Sequence, residues 1–113
     1  MEFVLLLGGD DGTGASAAEL GARTGRLAAW VSQLRDSGVV REGGRIDGPA
    51  LRVRSVEGRV GVLDMPAGTA AVRSWLLIDA GSLDAAVALA RTCPETAHGE
   101  VRVLPIDPEG RLL

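Results

Sequence analysis

The sequence predicts an α+β fold in which two strand-helix-strand units flank a β-hairpin. Three observations support this prediction. The chain opens on a short, continuously apolar run, Phe3 to Leu7. Two separate segments combine helical periodicity with helix-capping residues, and between them two alternating runs surround a Glu57-Gly58 turn. At 113 residues the chain forms one domain, long enough to bury about two thirds of its unfolded surface.

The first strand and first helix follow from local pattern. A continuous apolar run as short as Phe3 to Leu7 is typical of a strand covered on both faces. Ser16 and Glu19 match a capping box, which predicts a helix from about Ala17 to Ser37 with Gly38 as its stop. The apolar face of that helix is predicted to be Leu20, Leu27, Trp30, Val31 and Leu34.

The middle of the chain is predicted to hold a short strand, a loop and a hairpin. Val39-Val40 starts the strand, and the glycines and proline of residues 41–49 indicate a loop or a loop that contains a brief edge strand. Leu51 to Val56 and Arg59 to Leu63 alternate between apolar and polar residues on either side of the turn. These two runs therefore predict a β-hairpin.

A second strand-helix-strand unit completes the domain. Arg73 to Ile78 has strand character, Ser82 caps a helix that Pro94 ends, and Val101 to Ile106 is the last strand. The core face of this helix is predicted to be Leu83, Ala86, Val87 and Ala90. The domain thus covers residues 1–106, and a tail without periodicity covers 107–113.

This element order is the split βαβ arrangement on one antiparallel sheet, which predicts a ferredoxin-like fold. Two helices cover only one face of such a sheet. Apolar residues such as Val60, Val62, Leu76 and Ile78 must then be shared between the two faces. We therefore expect a homodimer joined through the open sheet faces.

Composition argues against several classes of partner. The net charge is −3, and the arginines are spread along the chain, whereas nucleic-acid binding favours a basic face. The longest apolar run is far shorter than the roughly 20 residues of a membrane span. One cysteine and no recognisable secretory signal indicate a reduced, cytoplasmic protein without a membrane or nucleic-acid partner.

His98 is the main candidate for catalysis. It is the only histidine of a chain that has no Tyr, Lys or Asn, so proton transfer near neutral pH points to His98 or to a tuned carboxylate. Asp64 begins a turn that Pro66 stiffens. Its side chain either hydrogen-bonds its own turn or orients His98 as the second member of a dyad, and His98 itself is either that acid or base or a solvated surface residue.

The other candidates each have a structural alternative. Arg52, Arg73 and Trp75 are candidate ligand contacts, although strand arginines are more often solvated. Cys93 is interpreted as core packing. The chain offers too few ligands for a zinc site, and the predicted activity needs neither a metal nor a cofactor.

The glycine-rich loop over residues 8–14 fits a variant of the dinucleotide-binding fingerprint. Asp10 and Asp11 would repel a pyrophosphate there, and no lysine completes a phosphate-binding loop. The same two carboxylates have no supporting spacing for a Mg²⁺ site. A plain turn is therefore the favoured interpretation of the loop.

Several segments together carry a recognisable pattern. They are the Met-x-x-Val-Leu-Leu opening at 1–6, Leu34-Arg35-Asp36-Ser37-Gly38-Val39, Leu51-Arg52-Val53-Arg54, Trp75 to Ala86, Cys93-Pro94 and His98 to Ile106. With these segments the chain resembles the YCII-related family, in particular the branch known by its Asp-Gly-Pro-Phe motif. The resemblance implies a dimeric ferredoxin-like α+β barrel with a cleft near the start of the last strand and the motif aspartate. Similar proteins include an aromatic dehydrochlorinase and muconolactone isomerases, and genes of this branch often accompany alternative sigma factors.

The motif itself departs from the family pattern. It reads Asp64-Met65-Pro66-Ala67, so the Asp and Pro are kept while the Gly and Phe are lost. Loss of the phenyl ring removes a large apolar wall from any pocket. Two functions therefore stay open: an enzyme that uses Asp64 and His98 for cofactor-free isomerisation or elimination on a small organic acid, aromatic or lactone-like, or a non-catalytic dimer that binds a small ligand or a regulator.

Overall fold

Six strands, two α-helices and one 3₁₀ helix make up the described part of the chain, residues 1–10 and 12–112 of a computed structural model. In chain order they are β1 (Glu2–Gly9), α1 (Ala17–Asp36), β2 (Val40–Arg45), β3 (Leu51–Val56), β4 (Arg59–Asp64), β5 (Val72–Asp79), α2 (Leu83–Ala90), the 3₁₀ helix (Pro94–Ala97) and β6 (Gly99–Pro105). Two residues that entered the sequence predictions, Asp11 of the loop and Leu113 of the tail, lie outside the described residues.

The main sheet has four antiparallel strands in the order β2-β5-β1-β6. The most apolar strand, β1, is central, as its continuous hydrophobic run predicts. Each helix connects two strands of this sheet, which is the split βαβ arrangement. The predicted ferredoxin-like α+β fold is confirmed.

The core lies between this sheet and the two helices. Phe3, Leu5 and Leu7 of β1 are buried, whereas the alternate residues Val4 and Leu6 are only partly buried. The buried residues form one cluster with side chains of both helices, namely Phe3, Leu5, Leu7, Trp30, Leu34, Val40, Leu76, Ile78, Ala86 and Cys93. Both helices therefore cover the same face, and the other face of the sheet is open within one chain.

The predicted helix signals act as expected. The Ser16 hydroxyl accepts a hydrogen bond from the Glu19 amide, and the Ser82 hydroxyl accepts one from Ala85. Gly38 has a φ of +79°, the left-handed conformation that glycine adopts easily at the end of a helix. Capping chemistry thus sets both helix starts and the end of α1.

The helix faces were predicted only in part. Trp30 and Leu34 are buried on α1, but Leu20 at its start is 38% exposed. On α2 the two alanines of the predicted face are buried, whereas Leu83 and Val87 are 48% and 36% exposed. The buried part of α1 therefore lies in its C-terminal half, whereas that of α2 consists of alanines.

The hairpin corrects the expectation of a single sheet. Strands β3 and β4 form a separate two-stranded sheet, closed by Glu57 (φ +52°) and Gly58 (φ +79°) in the left-handed conformations of a tight hairpin turn. Leu76 and Ile78 lie on the helix-covered face of the main sheet, but Val60 and Val62 are 78% and 66% exposed on the hairpin. The four residues therefore do not share one sheet.

Strand β2 is longer than its sequence suggests. It runs from Val40 to Arg45 and pairs with β5 at the edge of the main sheet, where the sequence predicted a loop with at most a brief edge strand. Glycine is needed at positions 43 and 44 of this strand because a Cβ atom on Gly43 would lie 2.6 Å from Leu76 Cδ2, and one on Gly44 would lie 2.8 Å from Trp75 Nε1. Close approach between strands, and not a turn, explains these two glycines.

Up to residue 112, the chain after β6 makes one contact with β1 and otherwise forms local hydrogen bonds. Within the described residues after β6, the Ile106 amide donates to the Glu2 carbonyl and Asp107 accepts from both Glu109 and Arg111.

Candidate functional site

His98 lies in the connection between the 3₁₀ helix and β6. Its backbone is fixed on both sides: its amide donates to the Glu95 carbonyl at 3.0 Å, and its carbonyl accepts from the Asp10 amide at 3.1 Å. The first bond belongs to the 3₁₀ turn, and the second joins this turn to the glycine-rich loop after β1. The position of His98 therefore depends on that loop, 88 residues earlier in the chain.

A cavity of about 400 Å³ opens beside His98, and we call it the His98 cavity. The loop after β1, the first turns of α1 and His98 form its walls. Its lining residues are Asp10, Gly12, Thr13, Gly14, Ala15, Glu19, Leu20, Ala22, Arg23, Arg26 and His98. Among the described residues, neither the imidazole of His98 nor the guanidinium of Arg26 forms a hydrogen bond or an ion pair. The cavity thus presents a titratable ring and a cation that the described protein leaves without a partner.

Arg23 ties the walls of this cavity together. Its Nη2 atom lies 2.7 Å from Glu95 Oε2 and also donates to the Asp10 carbonyl at 2.7 Å, while its Nε donates to both Glu95 oxygens. The side chains of Arg23 and Glu95 are only 16% and 13% exposed. Because α1, the loop and the 3₁₀ helix each provide one partner, this ion pair fixes their relative positions.

Asp64 ends β4 and lies at a second cavity, of about 600 Å³. This Asp64 cavity is lined by Ile46, Gly48, Pro49, Ala50, Asp64, Met65, Thr69, Ala70, Ala71, Val72, Arg73 and Arg102. The backbone carbonyl of Asp64 accepts a hydrogen bond from Arg52 Nε at 3.0 Å. Asp64 and His98 line different cavities, and no hydrogen bond or ion pair joins them among the described residues of one chain.

The structure separates the other predicted contacts as well. Arg73 lines the Asp64 cavity and also a central cavity of about 360 Å³ that Arg23 and Asp10 share. Trp75 lines a crevice between α1 and β2. Arg52 donates a hydrogen bond to the backbone carbonyl of Asp64 at the end of the hairpin. Of the five predicted site residues, Asp64, Arg52 and Arg73 are therefore near one another, whereas His98 and Trp75 each lie elsewhere.

Asp10, Arg23 and Arg26 were not among the predicted site residues. Arg23 and Arg26 were assigned to the solvent face of α1, and Asp10 was weighed only as a phosphate or metal contact. The spacing of Arg23 and Arg26 could have predicted their shared position, because residues three apart on a helix lie on the same face. At the first turns of α1 this face borders the preceding loop. The partner Glu95 could not be found this way, since it is 72 residues from Arg23.

Cys93 is fully buried in the core, in agreement with its interpretation as a packing residue. Burial raises the pKa of its thiol, with the nearby Glu95 carboxylate adding to the effect and a backbone hydrogen bond opposing it. Within residues 1–10 and 12–112, no group of three or more His, Cys, Asp or Glu side chains is placed to hold a metal ion. Neither helix in this part of the chain is long and apolar enough to cross a lipid bilayer.

Comparisons with known proteins show the fold. No family model matches the chain, and no curated protein matches its sequence. Among solved structures, it is similar to 5-chloro-2-hydroxyhydroquinone dehydrochlorinase (TftG) from Burkholderia phenoliruptrix AC1100, in complex with 2,5-dihydroxybenzoquinone. The TM-score is 0.56 at 20% sequence identity, over 95% of this chain and 94% of the other. The similarity covers nearly the whole of both chains.

Proposed function

We propose that this protein acts on a small organic acid by cofactor-free proton transfer, with His98 as the general acid or base. The observation that carries the proposal is the His98 cavity, where the imidazole and the Arg26 guanidinium line one space of about 400 Å³. Pockets of this volume accommodate ligands the size of a substituted ring. Cofactor-free proton transfer needs a titratable group, a cation for the substrate carboxylate and a fixed geometry.

Each residue has a defined part in this scheme. Arg26 holds the substrate carboxylate, and neutral His98 removes a proton from the carbon next to a carbonyl. In an isomerisation the protonated imidazole returns that proton to another carbon of the substrate. In an elimination the electron pair left on carbon expels a substituent as its anion, and His98 carries the proton away. Arg23 and Glu95 are positioning residues because they hold the loop and the 3₁₀ helix around the cavity.

The likeness to TftG supports a small-molecule activity of this kind. A dehydrochlorinase removes hydrogen chloride, and its complex contains a dihydroxybenzoquinone. An aromatic or lactone-like acid is therefore the first substrate class to test. We extend the proposal to membership of the YCII-related family, on the sequence segments described above.

The direct test is exchange of substrate carbon-bound protons with D₂O, followed by ¹H NMR over a panel of small hydroxyaromatic and lactone acids, with 5-chloro-2-hydroxyhydroquinone added as a compound that has no carboxylate. We expect exchange with at least one panel member and a loss of about 10²- to 10⁴-fold in His98→Gln. Arg26→Gln should raise KM more than it lowers kcat. Exchange that is unchanged in His98→Gln would refute His98 as the acid or base.

We also propose that the protein is a homodimer joined through the open face of the main sheet. The apolar residues Val4, Leu6 and Leu77 are only partly buried on that face, and Leu104 is 42% exposed. Leu104→Glu should produce a monomer in size-exclusion chromatography with light scattering. Leu83→Glu is the matched control, since Leu83 is 48% exposed on the helical layer. A monomeric wild type at micromolar concentration would contradict the dimer.

A dimer also gives the Asp64–His98 dyad a way to form, between two copies. Mixing Asp64→Asn with His98→Gln tests this, because a mixed dimer keeps one complete pair. A dyad between copies predicts that an equimolar mixture recovers about a quarter of the wild-type exchange rate, since half the dimers are mixed and each has one of two sites intact. No recovery, or full activity of Asp64→Asn alone, would rule out the dyad.

The alternative function is non-catalytic binding of a small ligand or of a regulator such as an alternative sigma factor. The altered motif favours it: Met65 and Ala67 replace the family glycine and phenylalanine beside Asp64. A panel compound that binds with equal affinity to wild type and His98→Gln, without proton exchange in either, would support this alternative.

A further inference from the structure

A separate crevice of about 420 Å³ lies between α1 and the edge strand β2. Its lining residues are Leu7, Thr24, Leu27, Ala28, Val31, Ser32, Arg35, Asp36, Gly43, Gly44, Arg45, Ser74, Trp75 and Leu76. None of them lines the His98 cavity. The crevice does share Leu7, Thr24, Leu27, Arg45 and Ser74 with the central cavity of about 360 Å³. The proposed reaction in the His98 cavity therefore uses none of the residues that line the α1–β2 crevice.

The crevice exists because both walls carry little side-chain volume. On α1, Thr24, Ala28 and Ser32 follow one another at intervals of four, so three small residues lie along one stripe of the helix. On β2, Gly43 lies opposite Leu76 of the helix-covered face and has no side chain, and a Cβ atom there would lie only 2.6 Å from Leu76 Cδ2. The gap between helix and strand is thus left open.

The lining combines an apolar floor with cations. Leu27, Val31 and Leu76 provide partly buried or buried aliphatic surface. Arg35 and Arg45 are exposed at the crevice, and among the described residues neither forms an ion pair or a side-chain hydrogen bond. Asp36 is the only carboxylate of the lining, so the formal charge at the crevice is positive. Such a surface complements a ligand that is apolar at one end and anionic at the other.

We propose that the α1–β2 crevice binds a small amphipathic carboxylate, a short acyl chain or a single ring with one acidic group. The apolar part lies against Leu27, Val31 and Leu76, and the carboxylate pairs with Arg35 or Arg45. Trp75 also lines this crevice and does not line the His98 cavity. The site is independent of the proton-transfer activity and of its substrate.

Octanoate and benzoate are the probes, measured by isothermal titration calorimetry, with octanol as the neutral analogue of octanoate. We expect at least one carboxylate to bind with a Kd below about 1 mM, and octanol to bind at least about tenfold more weakly because it lacks the charge. No heat from either carboxylate up to 10-fold above that concentration, or equal affinity for octanol and octanoate, would overturn the proposal.

Matched variants locate the site. Ala28→Phe fills the crevice, whereas Ala29→Phe adds the same ring to the neighbouring exposed residue, which does not line it. We expect a loss of at least about tenfold in Ala28→Phe and a change within about twofold in Ala29→Phe. Arg35→Gln combined with Arg45→Gln tests the cations without adding volume, and should remove the preference for octanoate over octanol.

One further variant separates this site from the proposed reaction. His98→Gln should bind the probes like wild type, even where it has lost proton exchange. Equal losses of binding in Ala28→Phe and Ala29→Phe, unchanged binding in both, or an octanoate preference that survives in the double arginine variant, would refute the α1–β2 crevice as the site.

Discussion

The ion pair between Arg23 and Glu95 should be the most stabilising polar contact of the described structure. Both side chains are largely shielded from solvent, with 16% and 13% of their surface exposed. The Arg23 guanidinium makes two short bonds, one to Glu95 Oε2 and one to the Asp10 carbonyl, both at 2.7 Å. An exposed ion pair would contribute only about 0–1 kcal/mol, and these contacts lie well outside that class.

The expected magnitude follows from this geometry. Removing one partner of a fully buried pair costs about 3–5 kcal/mol, and the remaining exposure lowers this through solvent screening. We expect Arg23→Met, which keeps the apolar stem, to lower the free energy of unfolding by about 2–3 kcal/mol. Glu95→Gln should lose about 1–2 kcal/mol because its amide oxygen still accepts. For a domain of this size the arginine variant should melt about 8–12 °C lower.

The assay is urea unfolding followed by tryptophan fluorescence, at one fixed protein concentration because a dimer would make stability concentration-dependent. A double-mutant cycle of Arg23→Met and Glu95→Gln isolates the pair itself. Arg26→Met is the matched control on the next turn of α1, exposed and without a described ion pair, and should change stability by less than about 0.5 kcal/mol. A coupling energy below about 0.5 kcal/mol would refute the reasoning.

Three other expected outcomes follow from local contacts. Asp79 accepts hydrogen bonds from Arg41 and from the Met1 amino group, and these contacts lower the pKa of its carboxyl below the ordinary value of 3.8. The ionised carboxylate therefore stabilises the fold above that pH, and the effect is lost as the pH falls through the lowered pKa. In urea titrations Asp79→Asn should be less stable than wild type at pH 7 and equally stable near about pH 2. Burial should keep the Cys93 thiol from reacting with a thiol reagent until urea unfolds the protein. Glu57, a non-glycine residue at φ +52°, should be replaceable by Asn with a gain of about 0.5 kcal/mol in thermal unfolding. Labelling of Cys93 in the native protein, or a loss of stability in Glu57→Asn, would contradict the second or the third.

Local signals predicted most of the secondary structure. Continuous apolar sequence placed β1 at the sheet centre, and the hydroxyls of Ser16 and Ser82 placed both helix starts. The prediction missed the length of the edge strand β2, because Gly43 and Gly44 are typical of a loop and only the neighbouring strand shows why glycine is needed there. Alternation likewise predicted the hairpin strands, but it cannot tell which sheet a strand joins.

The candidate site depended on tertiary contacts that no local pattern contains. His98 was found from its rarity, yet its cavity is lined by Asp10 and Arg23, and Arg23 is held by Glu95, which lies 72 residues away in the chain. Asp64 was paired with His98 because both types suit a dyad, and the topology places them at different cavities within one chain. The residue types alone thus indicated His98 as the candidate reactive group, whereas its neighbours in the cavity could be identified only from the fold.

The hairpin has an alternating apolar pattern that is typical of a buried face, yet in a single chain its apolar side chains are exposed. Val53 and Val62 face each other across its strands, yet they are 69% and 66% exposed, and Leu51 and Val60 on the same side are 59% and 78% exposed. Burying these four side chains would contribute on the order of 4 kcal/mol per chain. A two-stranded hairpin is at best marginally stable alone, so a surface that covers these apolar side chains would stabilise it. If the second copy of the proposed homodimer extends from the open face of the main sheet over the hairpin, it provides that surface. The same contact would stabilise the hairpin and bring its Asp64 to the His98 cavity of the second copy, as the dyad between copies requires.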